Sequence, residues 1–319
     1  MGSYPPKPRS KAESPKGPSR GQFFSSYIST NVYLFADDTK IFRTGTPPIG
    51  AQDDHLQLDL NYLQSWSNTW LLKFHPDKCK RLFVTRHHPD TRQAPLTLTP
   101  LGEDPSPLAS STNEKDLGIT IDTKLKFDTH IDNIVNRANR NMGIIRRTFQ
   151  YLDISTFLPL YKALVRSTIE YGQSVWSPHL ICDIKKIESV QRHATRQING
   201  FKDLPYPERL RRLNLPTLRF RRLRGDMIEL YKIMNGHYDA AVPLNFKRAP
   251  RTSRGHSKKL FQERARLDIR KFSFRIRVVS DWNSLPESVI SAPSVNCFKN
   301  RLDVHWEKHQ LKFDPHLAS

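Results

Sequence analysis

Apolar and polar positions change their period along this chain, and the changes mark the elements. Val32-Tyr33-Leu34-Phe35 and Ile41-Phe42 are short β-branched and aromatic runs, with Asp37-Asp38 between them. Such runs favour strands and an acidic pair favours a tight turn, so the pattern predicts a β-hairpin carrying two carboxylates at its tip. Leu56, Leu60, Leu63, Trp66 and Trp70 then fall on one helical stripe, which predicts a helix after the hairpin. Leu82-Phe83-Val84 reads as a strand, and a Pro-rich polar loop over about 86–113 is interrupted by a strand at Leu96-Thr97-Leu98. Leu117, Ile119 and Ile121 alternate as a half-buried strand does.

From Asp128 onward the period is helical. Ile131, Ile134, Val135, Ala138, Met142 and Ile145 predict one amphipathic helix. Phe157, Leu160, Tyr161, Leu164 and Tyr171 predict a second, with Ser155 as N-cap and Pro159 tolerated only near the first turn. Ile184, Ile187, Val190, Ala194 and Ile198 predict a third. Leu218, Met227, Leu230, Tyr231 and Met234 predict a fourth, closed by Gly236. A Pro-, Arg- and Ser-rich stretch over 240–257 reads as a linker, and Val295, Phe298, Leu302 and Trp306 predict a terminal helix. The Met and aromatic stripes read as core packing.

Composition narrows the partners. The 319 residues carry 51 Lys and Arg against 31 Asp and Glu, for a net charge of +20 and a pI near 10.0. An excess of that size points to a polyanion such as nucleic acid, the alternative being a solvated basic surface that aids solubility. Residues 1–21 are rich in Pro, Ser, Lys and Arg with few apolar residues. Such a segment buries too little surface to offset chain entropy and is expected to be a disordered tail. It lacks the apolar core of a secretory signal. No apolar run reaches the roughly 18 residues of a membrane span. Cys79, Cys182 and Cys297 are far apart and form no paired spacing, which argues against a zinc knuckle or disulfide framework and fits a reducing, intracellular compartment.

The chemistry centres on Asp37 and Asp38. Adjacent carboxylates repel unless a cation offsets them. Mg²⁺ accepts one or two carboxylates, keeps several waters and completes its shell with phosphate oxygens. Paired ions can clamp the attacking and leaving oxygens of a phosphoryl transfer. The alternative is a solvated turn. A second cluster, Arg209, Arg211, Arg212, Arg219, Arg221, Arg222 and Arg224, has Glu208 as its one nearby acid. Guanidinium forks match phosphate geometry, so these arginines are candidate backbone contacts, the alternative being a helix with a basic exposed face.

Phe35-Ala36-Asp37-Asp38 between two apolar strands resembles the catalytic hairpin of reverse transcriptases of non-long-terminal-repeat (LINE-like, jockey-type) retrotransposons. The resemblance continues in order through the following helix, the turn His75-Pro76-Asp77-Lys78-Cys79, and Glu114-Lys115-Asp116-Leu117-Gly118-Ile119-Thr120-Ile121-Asp122. It runs on through Leu160-Tyr161-Lys162-Ala163-Leu164-Val165-Arg166, Val175-Trp176-Ser177-Pro178, Arg224-Gly225-Asp226-Met227, Arg254-Gly255-His256-Ser257 and Trp282-Asn283-Ser284-Leu285-Pro286, covering about 29–306.

The resemblance implies an α+β fold: the C-terminal part of a polymerase palm over 22–127, a helical thumb-like domain over 128–239 and a helical segment over 258–319 after the linker. It implies two-metal nucleotidyl transfer on an RNA template and DNA primer. Asp37 would bridge two Mg²⁺ ions, Asp38 would support the site, and Lys78 would protonate the leaving pyrophosphate, although the family more often has Asn where His75 stands. It places the arginines on a thumb that cradles an RNA–DNA duplex. A third palm carboxylate, the fingers and an endonuclease, which the family carries upstream, have no counterpart in this sequence. The chain is therefore expected to be a truncated fragment with little or no activity alone. Asp59, Asp116 and Asp122 are read as solvated faces or turns. The alternatives kept open are a nucleic-acid-binding thumb module and a remnant of a decayed mobile element.

Overall fold

The structure is a computed structural model that describes residues 30–35, 38–45, 54–72, 74–85, 95–99, 104–238, 246–250 and 255–314. The tail expected over 1–21 lies outside them. The chain divides into two compact units, Met1–Thr112 and Asn113–Ser319.

In the first unit, β1 (Asn31–Phe35) and β2 (Asp38–Phe42) pair antiparallel, with Asn31 opposite Phe42, Tyr33 opposite Lys40 and Phe35 opposite Asp38. Two residues, 36 and 37, separate the strands. Because side chains alternate along a strand, Val32 and Ile41 share one face. They pack on the cluster of Leu60, Leu63, Leu96 and Leu98. The other face presents Tyr33, Phe35 and Phe42, all exposed, with Tyr33 and Phe42 stacked at 5.4 Å. The predicted helix is α1 (Asp54–Trp70), whose Leu60, Leu63 and Trp66 are buried while Trp70 is exposed. A 3-10 turn (Pro76–Lys78) leads to β3 (Lys80–Leu82), two residues earlier than the predicted strand. Within the predicted loop the chain forms further short strands. β4 (Thr97–Leu98) pairs antiparallel with β5 (Ser106–Pro107), and β3 pairs parallel with β6 (Ala109–Ser111).

The second unit starts with the hairpin β7 (Asn113–Asp116) and β8 (Ile119–Asp122). Its two-residue turn holds Leu117 at φ 45° and Gly118 at φ 86°. Two central residues with positive φ are the backbone of the tight hairpin turn that matches strand twist. Leu117 therefore leaves the predicted strand and is exposed. Its carbonyl accepts a hydrogen bond from the Tyr171 hydroxyl at 2.9 Å. The Asp122 carboxylate accepts the backbone N–H groups of Lys124, Lys126 and Phe127 at 2.8, 3.2 and 2.6 Å. That turn launches α2 (Asp128–Thr148), which buries Ile131, Val135, Ala138, Met142 and Ile145 as their spacing predicts. The Thr120 N–H donates to His130 Nδ1 at 3.2 Å and ties hairpin to helix.

The next helix departs from its prediction twice. Its N-cap is Asp153, which accepts the Thr156 N–H at 2.8 Å, while Ser155 donates its hydroxyl to the same carboxylate at 2.9 Å. A carboxylate is the stronger acceptor for a helix-end N–H. Pro159 lies beyond the first turn of α3 (Ile154–Leu160), and the winding becomes π-type over Tyr161–Arg166 before α4 (Ser167–Glu170). The wider turns keep residues four apart in line. Phe157, Tyr161, Val165 and Ile169 are buried, and Leu164 and Tyr171 are exposed.

After α5 (Gln173–Trp176), α6 (Ile181–Thr195) and α7 (Tyr206–Leu213) complete a core with α2 and α3 that includes Trp176, Ile187, Val190 and Leu210. The following helix, α8 (Leu218–Met234), gives Leu218 to that core. It gives Phe220, Met227, Leu230 and Tyr231 to a second core, shared with α10 (Phe274–Ser284), which follows the short α9 (Asp268–Lys271), and with α11 (Glu287–Ile290) and α12 (Val295–His305). Thr217 caps α8 by accepting the Phe220 N–H at 3.1 Å. Its own N–H and hydroxyl donate to the carbonyls of Lys312 and Leu311 at 2.9 and 2.6 Å. The described parts of the stretch read as a linker are packed. Phe246 lies against the second core, the Phe261 N–H donates to the Lys247 carbonyl at 2.8 Å, and the buried His256 bonds through Nε2 to the Trp282 carbonyl at 3.0 Å. No helix among the described residues is long and apolar enough to cross a membrane.

Candidate functional site

Asp38 is the first residue of β2, exposed, on the same face as Tyr33, Phe35 and Phe42. Asp37 precedes it in the chain and lies outside the described residues. Adjacent carboxylates offer the hard oxygen donors that suit Mg²⁺. Among the described residues no three His, Cys, Asp or Glu side chains converge on one point. Of the three other aspartates read as solvated faces or turns, Asp59 is instead buried and accepts the Thr30 N–H at 2.8 Å, anchoring the approach to β1. Asp122 is spent on the turn before α2.

Lys78 closes the 3-10 turn with its side chain exposed, and its backbone N–H donates to the His75 carbonyl at 3.0 Å. His75 Nδ1 stands 3.7 Å from Asp77 Oδ2, both side chains largely in solvent. The turn is thus built, as its Pro and Asp predict.

The seven arginines do not form one surface. Arg209 is buried: it donates to the Arg192 carbonyl at 2.7 Å and Thr195 Oγ1 at 2.9 Å, and its guanidinium lies 5.3 Å from the centre of the Tyr206 ring. Arg221 makes a two-pronged ion pair with Glu170 at 2.6 and 2.8 Å, which holds its pKa above the ordinary arginine value. Arg224 pairs the same way with Asp303 at 2.5 and 2.7 Å. Arg222 is buried, and burial pushes its pKa down to about 10, against the pull of Glu188 and Asp226. Both of its terminal nitrogens lack a hydrogen-bond partner. Arg219 is half-buried. Arg211 and Arg212 are exposed and share Glu208, at 3.8 and 3.0 Å. Burial removes Arg209 and Arg222 from any phosphate contact.

Around Arg222 lies a buried polar network. The Glu188 carboxylate accepts the Tyr206 hydroxyl at 2.6 Å and the Leu218 N–H at 2.9 Å, and burial raises its pKa. Gln191 accepts from Tyr161 and donates to Tyr206. Asp226 pairs with Arg277 at 2.9 and 3.1 Å, and burial still raises its pKa. Near this network a cleft of about 450 Å³ opens between α5, α8 and α12, lined among others by Gln173, Arg221, Gly225, Lys232 and Lys299. No local spacing signals it, because its walls come together only in the fold.

No known family profile and no solved structure matches the chain. The chain is similar to an uncharacterized protein of Caenorhabditis elegans, 26% identical over 126 residues, which are 39% of this chain and 64% of that protein. It is also similar to the RNA-directed DNA polymerase from mobile element jockey of Drosophila melanogaster, 26% identical over 173 residues, or 53% of this chain and 18% of the polymerase. The probable RNA-directed DNA polymerase from transposon X-element of the same species is 25% identical over 182 residues, or 55% of this chain and 19% of its own length. The chain therefore spans less than a fifth of either polymerase. It has a distant, reverse-transcriptase-like relationship to mobile-element polymerases over about half its length.

Proposed function

We propose that this chain is part of an RNA-directed DNA polymerase of a non-long-terminal-repeat retrotransposon, comprising the rear of the palm over 22–127, which takes in most of the first unit and the β7–β8 hairpin, and a thumb-like helical region over 128–239. The observation that carries the reading is the similarity to two such polymerases over more than half of the chain. The hairpin whose second strand opens at Asp38, the Asp37-Asp38 pair in the sequence and the net charge of +20 agree with it. In this reading the two carboxylates hold Mg²⁺, which supplies the charge that stabilises nucleotidyl transfer to a 3′-hydroxyl. Two adjacent carboxylates by themselves hold such an ion weakly, and in this reading the chain alone does not polymerise.

Two measurements test this. Primer extension on an RNA template with Mg²⁺ yields no product from the chain alone, and product that disappears in Asp37→Ala would overturn the inactivity. A hybrid in which residues 29–306 replace the matching part of the jockey polymerase extends the primer, and Asp37→Ala and Asp38→Ala each abolish extension. A folded hybrid that extends equally well with either substitution would refute the polymerase reading.

A further inference from the structure

We infer that the exposed face of α2 (Asp128–Thr148) is a docking surface for the phosphate backbone of a nucleic-acid duplex, centred on Gly143 and flanked by Arg137, Arg140, Arg146 and Arg147. The partner class rests on the polymerase reading above, and the location rests on α2 alone. Residues 133–152 contain four arginines and no Asp or Glu. The buried positions Ile131, Val135, Ala138, Met142 and Ile145 fix which side of the helix faces the core. At 3.6 residues per turn, Asn136, Arg140, Gly143 and Arg147 form a row on the opposite side. Asn136, Asn139 and all four arginines are exposed. None of these arginines has an ion pair or side-chain hydrogen bond among the described residues. Asp132, five residues before Arg137 on the same helix, is taken by Lys186 at 2.6 Å.

Gly143 is the informative position. A Cβ built there would meet nothing within 4 Å, so no neighbour in the fold requires glycine. Glycine in mid-helix costs about 1 kcal/mol relative to alanine. Asn133, Asn136 and Asn139, exposed on the same helix, are also poor helix formers. The helix thus gives up stability on the side that carries unpaired charge. A bare backbone patch lets a partner approach closely. Guanidinium forks and amide donors around it suit phosphate oxygens. From Asn136 to Arg147 the row runs about 16 Å along the helix, the length of several phosphates on one strand. The arginines of 209–224 differ, because four of the seven are buried or held in two-pronged ion pairs.

The test is anisotropy of a short labelled RNA–DNA duplex titrated with the full chain across a KCl series. Arg140→Gln/Arg147→Gln is expected to weaken binding at least tenfold at low salt and to reduce the slope of log K against log salt by about 1 to 2. Gly143→Ala is expected to keep or raise the melting temperature while lowering affinity several-fold, a pairing that a purely structural glycine would not give. Unchanged affinity and slope in Arg140→Gln/Arg147→Gln refute this face while leaving the hybrid's primer extension, and so the polymerase reading, untouched. Absence of duplex binding, or tight binding to anionic phospholipid vesicles through the same residues in its place, also overturns it.

Discussion

Replacing Arg222 with methionine tests whether this arginine serves the fold. Its guanidinium is buried and faces Glu188 and Asp226. Asp226 keeps its two-pronged pair with Arg277 after the change, so Glu188 is the group left exposed to the loss. Glu188 retains the Tyr206 hydroxyl and the Leu218 N–H, and loses its balancing charge. Glu188 and Arg222 make no ion pair within 4 Å and attract across the buried interior, a coupling of about 1–3 kcal/mol. That is a large part of the roughly 5–15 kcal/mol that holds a domain folded. Glu188→Gln removes the orphaned charge while keeping an oxygen acceptor, so the double variant should recover about 1–3 kcal/mol relative to the sum of the singles. Urea unfolding followed by fluorescence of the buried Trp176 and Trp282 measures all four corners of the cycle. A cost below about 1 kcal/mol for Arg222→Met, or a double variant equal to the sum of the singles, would refute the coupling. Duplex affinity of the folded variant should match wild type, since a buried side chain makes no phosphate contact.

The remaining predictions use the same logic. Burial holds His130 and His256 below the ordinary histidine pKa, in the second case against the pull of the Trp282 carbonyl and Glu287. The unfolded chain then binds more protons, so their contribution is full above about pH 6.5 and is lost as pH falls, by at most about 1.4 kcal/mol per unit for each. Urea midpoints at neutral and mildly acidic pH should fall further for wild type than for His130→Gln/His256→Gln, and equal losses would contradict this. A Cβ at Gly225 would lie 1.9 Å from Gln173 Nε2, which donates to the Arg222 carbonyl at 3.0 Å. The flexible Gln173 amide can swing away, so Gly225→Ala should change stability by less than about 1 kcal/mol, the lost hydrogen bond offsetting the gain in helix propensity, as thermal melts would show. Asp153→Ala should cost about 0.5–2 kcal/mol and Ser155→Ala much less, a ranking that urea denaturation can reverse or uphold.

Much of the fold was legible because its signals are local. Apolar spacing alone located the hairpin strands, α1, α2, α6, α8 and α12. Leu117 was misplaced because alternation cannot show where a two-residue turn takes over from a strand, and Ser155 because an Asp two residues earlier competes for the same N–H groups. The arginines show a deeper limit. On α8, positions 219, 221, 222 and 224 point in different directions at 3.6 residues per turn. The acids that meet them lie at 170, 188 and 303, far away in sequence. Composition made them look like one basic surface, and the fold separates them. The free arginines of α2 were overlooked because they are spread among asparagines and do not form a run.

Thr217 joins the start of α8 to residues 311 and 312, and α8 itself serves both cores of the second unit. On the ribosome, therefore, this unit cannot close as it emerges. Its first core waits for α8, and the start of α8 waits for a segment more than 90 residues later. A stop codon near residue 305 would free the Thr217 N–H and hydroxyl at the junction of both cores, so its effect should spread well beyond the missing residues. Translation through residue 312 is therefore needed before the junction of the two cores is tied down.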